Sequence, residues 1–542
     1  MKRAALAVLL LAAALRLAGL DWGLPHTYNA DEPHIVNSAV SLGPSFFRPV
    51  SFKYPTLWPT LLSFAYGLWF LVWSVLGLRK GVVDFIALYA FEPTSFYLIA
   101  RALALLASLG ALLLVARAES DRDPKRWPWG ALALCFSPVL VEISATAKPD
   151  SLMLLLVSAA WLCALRFQAG AKRGWLFGAA VCSGLAASTQ YTAAPAALVV
   201  PLAALLRRGG PASRGEAALA LALVPAAFLI GTPYAVVDAG RFLADWGDHL
   251  DLARLRPLDA AAMAETVARN AWNFGGEGAP YGAAALLGLA VLLKKDARRA
   301  VMLLVPILAY FVLLSRSTDG GWARYLFGAY PALALLASEG LALLGGKSVL
   351  RRGVVAAAFA APALLLSARW ARAVRLPDTR VAAEAWIEAE IPEGDTVLLD
   401  MAHASPRVLM SVEQVRDLAE RTERAGSPRA RLYRAMEARH PGGGRRVLRV
   451  QRTARDLFTL PGHAAKSQAE GDFLDVRPGL DPARAARVGW VVTSSYGADP
   501  RKARELATFF SELAEGSDLV KEFPVEPGLT AGPWLRVHRL KR

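Results

Sequence analysis

Apolar positions in this chain come in long blocks rather than in the alternating or one-faced patterns of a water-soluble domain. Blocks at roughly 4–20, 95–116, 128–142, 150–166, 174–187, 192–206, 216–237, 281–293, 300–315, 324–344 and 351–370 are each close to, or slightly short of, the length that carries an α-helix across a hydrocarbon layer. The pattern predicts about eleven spanning helices. Beyond residue 371 the blocks stop. Charged residues, Gly and Pro take over, with strand-like pieces at Thr396–Leu399, Val447–Val450 and Val488–Thr493 between helical stretches such as Asp378–Glu390 and Arg501–Ala514. The predicted organisation is a membrane bundle over 1–370 and a soluble α/β domain over 371–542.

The connections between blocks carry the orientation. Basic residues cluster at Lys2/Arg3, Arg117 to Arg126, Arg166/Lys172/Arg173, Arg207/Arg208/Arg214, Lys294/Lys295/Arg298/Arg299 and Lys347/Arg351/Arg352, always at alternate connections. The positive-inside rule puts all of these in the cytoplasm. It puts 21–94, 143–149, 188–191, 238–280, 316–323 and everything after 371 outside. A further apolar stretch, Leu57 to Leu78, would reverse this bias if it crossed, so it is read as an interfacial helix. Trp58, Tyr66, Trp69 and Trp73 suit headgroup depth. The alternative, a crossing paired with a second short helix within 81–98, preserves the same parity.

Composition sharpens the class. Hydrophobic residues make up 55% of the 542 positions, too many for one soluble domain. The formal charge of +16 would suggest nucleic acid in a soluble protein, but here it sits in orienting loops, so no nucleic-acid partner is expected. The first block follows Lys2 and Arg3 like a signal peptide, yet Arg16 interrupts it and no small-residue cleavage site precedes Asp21, so it is expected to be retained. Cys135, Cys163 and Cys182 all fall in apolar blocks and suggest neither a disulfide frame nor a thiolate metal site. The C-terminal region contains no GxGxxG, P-loop or HExxH motif.

Polar residues of chemical interest gather on the predicted outer side. Asp31 and Glu32 follow the first helix; Lys53 and Tyr54 precede the interfacial helix; Lys148 and Asp150 flank Pro149; Gln190 and Tyr191 occupy a short turn; Arg316, Asp319, Arg324 and Tyr325 lie before a late helix. Adjacent carboxylates just outside a bundle can work on a lipid-linked substrate without being buried in hydrocarbon. They also fit the acidic first turn of a helix capped by Asn29 with Pro33 near its start. Lys53 is placed to meet a phosphate or simply to snorkel. Asp150 reads equally as a first-turn acid, with Lys148 its neighbour. Asp245, Asp248, His249 and Asp251 read as the polar face of a surface helix rather than a metal site. Arg16 and Glu142 find no role in this scheme.

The ordered set Asp31-Glu32, Phe52-Lys53-Tyr54-Pro55-Thr56-Leu57, Arg101, Pro149-Asp150, Arg324-Tyr325 and Pro331 resembles the GT-C glycosyltransferases. The resemblance is strongest to the family 39 group of protein O-mannosyltransferases and bacterial aminoarabinose transferases. It implies a GT-C-like bundle over 1–370 that inverts the anomeric carbon while moving a sugar from a polyprenyl-phosphate donor to a lipid, glycan or protein acceptor. The reaction would take place outside the cytoplasmic membrane of a bacterial cell. By that resemblance Asp31 is the base and Glu32 its support, through a hydrogen bond or a divalent cation if one is used; no other cofactor is implied. Lys53, Arg324 and Tyr325 would bind the donor phosphate, and Tyr54, Lys148, Asp150, Gln190 and Tyr191 the remaining substrate. The interfacial segment departs from the His-Pro-Pro of the mannosyltransferases and only partly matches the Phe-x-Lys-Pro of the aminoarabinose transferases, leaving donor sugar and acceptor open. The alternatives are a flippase or transporter, against which stands the lack of a half-to-half repeat, and a non-catalytic membrane scaffold.

Overall fold

A computed structural model describes residues 2–78, 81–252, 259–276, 281–316, 323–400, 403–451, 471–498 and 503–541. Asp319 lies outside them, as do the side chains of Asp248, His249 and Asp251. The chain forms two compact units: Met1–Leu20, His34–Tyr66 and Leu98–Arg372 make the first, and Asp21–Pro33, Gly67–Tyr97 and Ala373–Arg542 the second.

Every apolar block of the first unit is helical, and seven helices among the described residues are long and apolar enough to cross a membrane. Six of them, Thr94–Arg122, Asp150–Gln168, Arg214–Gly231, Ala297–Ser315, Arg324–Gly345 and Val349–Ala373, fall on expected spans. The seventh is Leu57–Val75, so length and apolarity do not set it apart from the others. Its interfacial assignment rests on loop charge alone. The remaining expected spans are shorter or interrupted: Lys2–Leu17, Gly174–Thr189 and Tyr281–Lys295 are continuous, 191–205 opens with a 3-10 stretch, and 128–142 breaks at Pro138 into Trp129–Phe136 and Pro138–Ser144.

That break explains Arg16. Pro138 has no N–H, so the carbonyl of Leu134 loses its helical partner, and the helix end frees those of Cys135 and Phe136. The fully buried Arg16 guanidinium donates to the carbonyls of Leu134 at 3.1 Å and Cys135 at 3.0 Å, and to Ser108 and Ser144 Oγ at 3.1 and 3.2 Å. Ser367 Oγ donates to the carbonyl of Phe136. The intramembrane arginine is therefore a bolt between helices, with its donors matched to carbonyls that proline released.

Helix pairs approach closely where glycine faces backbone. A Cβ on Gly288 would stand 1.8 Å from the carbonyl oxygen of Leu336, and one on Gly340 2.2 Å from that of Ala284. Helices Tyr281–Lys295 and Tyr330–Gly345 thus meet through a small-residue seam, the usual means of packing where lipid supplies no hydrophobic drive.

The second unit holds a sheet of six strands among the described residues: β1 Thr396–Leu399, β2 Arg446–Gln451, β3 Phe473–Asp475, β4 Trp490–Ser494, β5 Ser517–Phe523 and β6 Leu535–Leu540, in the order β3-β2-β1-β4-β6-β5. The first four run parallel and β6 and β5 antiparallel. Successive residues of β1 face opposite cores, Val397 and Leu399 toward Ile387 and Val537, Leu398 toward Phe509 and Leu513. The strand-like pieces expected at 396–399, 447–450 and 488–493 fall on β1, β2 and β4.

Candidate active site

In the first unit the segment before helix Leu57–Val75 is fixed from four directions. The N–H of Phe52 donates to Asp245 Oδ2 at 2.6 Å, and the carbonyl of Phe52 accepts from Tyr191 Oη at 2.9 Å. Thr56 donates through Oγ1 to the carbonyl of Gly231 and through its N–H to Thr232 Oγ1. Trp58 Nε1 donates to the carbonyl of Ala147 at 2.8 Å. Asp245 therefore anchors the backbone of the 51–56 segment. These bonds bring the 51–56 segment together with the 145–149 and 188–191 turns. Lys53, Tyr54, Lys148, Asp150, Gln190 and Tyr191, dispersed over 139 positions of sequence, share one end of the bundle.

Arg324 belongs to the same end. It lies in the 3-10 stretch Ala323–Ala329 that leads into helix Tyr330–Gly345, rather than in the helix proper, with its guanidinium 5.2 Å from the Tyr325 ring. Both Arg324 and Lys148 act electrostatically on the exposed carboxylate of Glu142. Glu142 therefore joins a site that sequence reading left it out of. Its signal was available: an acid at the end of an apolar block, six residues before Lys148. Lys148 and Asp150 are almost fully buried, as is Gln190, whose side-chain oxygen has no hydrogen-bond partner among the described residues.

Connections at the opposite end form a second set. Arg166 pairs with Asp121 at 2.6 Å, Arg208 with Asp296 at 2.7 Å, and Arg126 with Glu339 at 2.7 Å.

Asp31 and Glu32 lie in the loop of the second unit. Helix Glu32–Leu42 begins at the second acid, so Asp31 takes the cap position and Pro33 the first turn; the N–H of Asp31 donates to Asn29 Oδ1 at 3.0 Å. Glu32 is fully buried and Asp31 half-buried. Within the first unit, the ring of His34 lies 5.7 Å from that of Tyr54.

The same loop is tied to helix Thr379–Glu390. His26 Nδ1 lies 2.9 Å from Glu384 Oε2, and the Tyr28 ring lies under the Arg380 guanidinium, 3.3 Å from centroid to Cζ. Asp378 holds Arg380 through both carboxylate oxygens, and Arg380 also donates to the carbonyl of His403. Burial, with the charges of Asp378 and Glu384, pushes the Tyr28 hydroxyl well above its ordinary pKa, against the opposing pull of Arg380. A cavity of about 440 Å³ opens here, lined by Trp22, Leu24, His26, Tyr28, Leu376 and Asp378. Sequence reading did not single out His26, Tyr28 or Glu384. Among the described residues no group of three or more His, Cys, Asp or Glu side chains is placed to hold a metal ion.

The helical bundle followed in the chain by an α/β unit is similar in fold to solved structures with the GT-C fold. Among solved structures, ArnT from Cupriavidus metallidurans bound to undecaprenyl phosphate matches 98% of this chain and 97% of its own, with a TM-score of 0.57 and 14% identity. The apo state of the same protein matches 99% and 98% at the same score. The arabinofuranosyltransferase AftD from Mycobacteria aligns over 100% of this chain but 40% of its own, with a TM-score of 0.44 and 15% identity. No protein-family model and no curated protein sequence matches the chain.

Proposed function

We propose that this protein is an inverting glycosyltransferase of the cytoplasmic membrane that moves a sugar from a polyprenyl-phosphate donor to an acceptor hydroxyl on the outer face. The observation that carries the reading is the match, over nearly the whole of both chains, to ArnT solved with undecaprenyl phosphate. The gathering of Lys53, Lys148 and Arg324 at one end of the bundle supports it, because a departing lipid phosphate needs that positive charge.

In this reading the acceptor oxygen attacks the anomeric carbon as the bond from that carbon to the phosphate oxygen breaks, and the bonding pair leaves with the lipid phosphate. Asp31 takes the acceptor's proton. Glu32 supports it by hydrogen bonding or by holding a divalent cation. Lys53 and Arg324, with Tyr325, take up the charge that grows on the leaving phosphate, while Tyr54, Lys148, Asp150 and Tyr191 shape the donor pocket. Gln190 offers its buried carbonyl to a sugar hydroxyl. The α/β region handles the acceptor.

The test is turnover by the purified full chain, in lipid nanodiscs, of a panel of polyprenyl-phosphate sugars. One donor is expected to be consumed, with inverted configuration in the product or in the slow hydrolysis product. Failure of every donor to bind would overturn the reading in favour of transport or scaffolding.

A further inference from the structure

The second set of connections carries more positive charge than its own carboxylates can take up. Glu339 receives both Nη atoms of Arg126, at 2.8 and 2.7 Å, and Nε of Arg122 at 3.0 Å. Asp296 receives Arg208 at 2.7 Å and Arg122 at 3.4 Å through one oxygen, and with the other caps helix Ala297–Ser315 by accepting from the N–H of Arg299 at 3.3 Å. Both acids are thus engaged, and three arginine side chains share them.

Arg299 is the residue left over. It is nine-tenths buried, and its guanidinium makes no hydrogen bond or ion pair among the described residues, its Nε being enclosed without a partner. The charges of Arg122 and Arg126 repel it, while those of Asp296 and Glu339 attract it. It also sits in the first turn of its helix, where the dipole disfavours a cation. Beside it, Arg298 Nη1 donates to the carbonyl of Arg207, whose own Nε is unpartnered. A buried, unpaired cation at a helix start is destabilising. An anion held there removes that cost.

We propose that this cluster binds the phosphodiester headgroup of an anionic phospholipid. The cluster lies where membrane-length helices Thr94–Arg122 and Ala297–Ser315 end and begin. Trp127 directly follows Arg126, and indole rings favour headgroup depth. Basic pockets between helix ends at that depth suit lipid phosphates, and a planar guanidinium suits two phosphate oxygens at once. Arg299 and Arg208 are the residues assigned to the phosphate. The assignment is independent of the sugar-transfer reading, being at the other end of the bundle.

The test uses the full chain in nanodiscs of phosphatidylcholine alone or with phosphatidylglycerol, and native mass spectrometry of the lipid it retains. Wild type is expected to keep phosphatidylglycerol in preference to phosphatidylcholine and to melt higher when it is present. Arg299→Gln is expected to bind it about tenfold more weakly, one charge-assisted hydrogen bond's worth. In phosphatidylcholine alone, Arg299→Gln should melt no lower than wild type, because it removes an unpaired buried charge; a purely structural arginine would lower the melting point in both lipids. Arg208→Gln, at an exposed position, should fold normally and share the weakened binding. Equal retention of the two lipids overturns the proposal, as does wild-type binding by both variants. So does equal stabilisation by inorganic phosphate, which would make the site one for a free anion.

Discussion

Single residues in this chain do two kinds of work, and Arg16 shows the first. Its guanidinium supplies the donors for carbonyls at the Pro138 break, so Arg16→Met should leave the carbonyls of Leu134 and Cys135 buried without donors. The expected cost is about 3 kcal/mol or more, read as a lower melting temperature and poor recovery of folded protein. Arg16→Lys should recover only part, since one ammonium cannot reach the same fork of acceptors. The second kind is chemical. Under the sugar-transfer reading, Lys53→Gln and Arg324→Gln should each weaken donor binding about tenfold while the protein stays folded, measured by lipid-phosphate titration in nanodiscs. Asp31, Glu32, Lys53, Lys148 and Arg324 stand out in the sequence because charged residues beside apolar blocks are conspicuous. His26 and Glu384 do not. Neither is unusual locally, and their 2.9 Å approach joins positions 358 apart in sequence, which no pattern in either neighbourhood encodes.

At the scale of elements, the apolar blocks read as helices because membrane-length runs are unambiguous, whereas interruptions were invisible until packing resolved them. Pro138 is the local cause of the broken helix, and helix Val412–Arg424 is capped by Ser411, whose Oγ accepts from the N–H of Gln414. Strand β5 gave little signal because it is an edge strand whose middle residues are exposed, leaving no alternation to detect. Two predictions belong here. Gly288→Ala and Gly340→Ala should each push apart helices Tyr281–Lys295 and Tyr330–Gly345 and lower thermal stability, while Gly174→Ala, with open space around it, should not. His538, on β6 beside Ser517, has its pKa lowered by burial and then by Arg536, with Glu522 acting in the opposite sense. The unfolded state thus binds a proton more readily. The stabilisation is present above the unfolded value of about 6.5 and is lost as pH falls through the lower folded value. Melting measured on descending pH should show this loss in wild type and a smaller one in His538→Gln.

At the scale of the whole molecule, the turns with Lys148, Tyr191 and Arg324 gather together, and the arginine-rich connections form a second set. This sorting has a physical origin. Loop charge acts through the membrane during insertion and so leaves a record in every connection, while the close approaches that join loops to one another depend on packing of helices far apart in sequence. Under the two proposals, phosphate-directed cations stand at both ends, one set for a lipid-linked donor and one for a structural lipid. Under the sugar-transfer reading, the acid pair is the element on which transfer chemistry depends. Its most direct test is a single-turnover measurement on wild type and Asp31→Asn, with donor binding measured in parallel. The expected result is unchanged donor affinity with transfer slowed by a factor on the order of 10² to 10⁴; equal transfer rates in the two proteins would contradict the account.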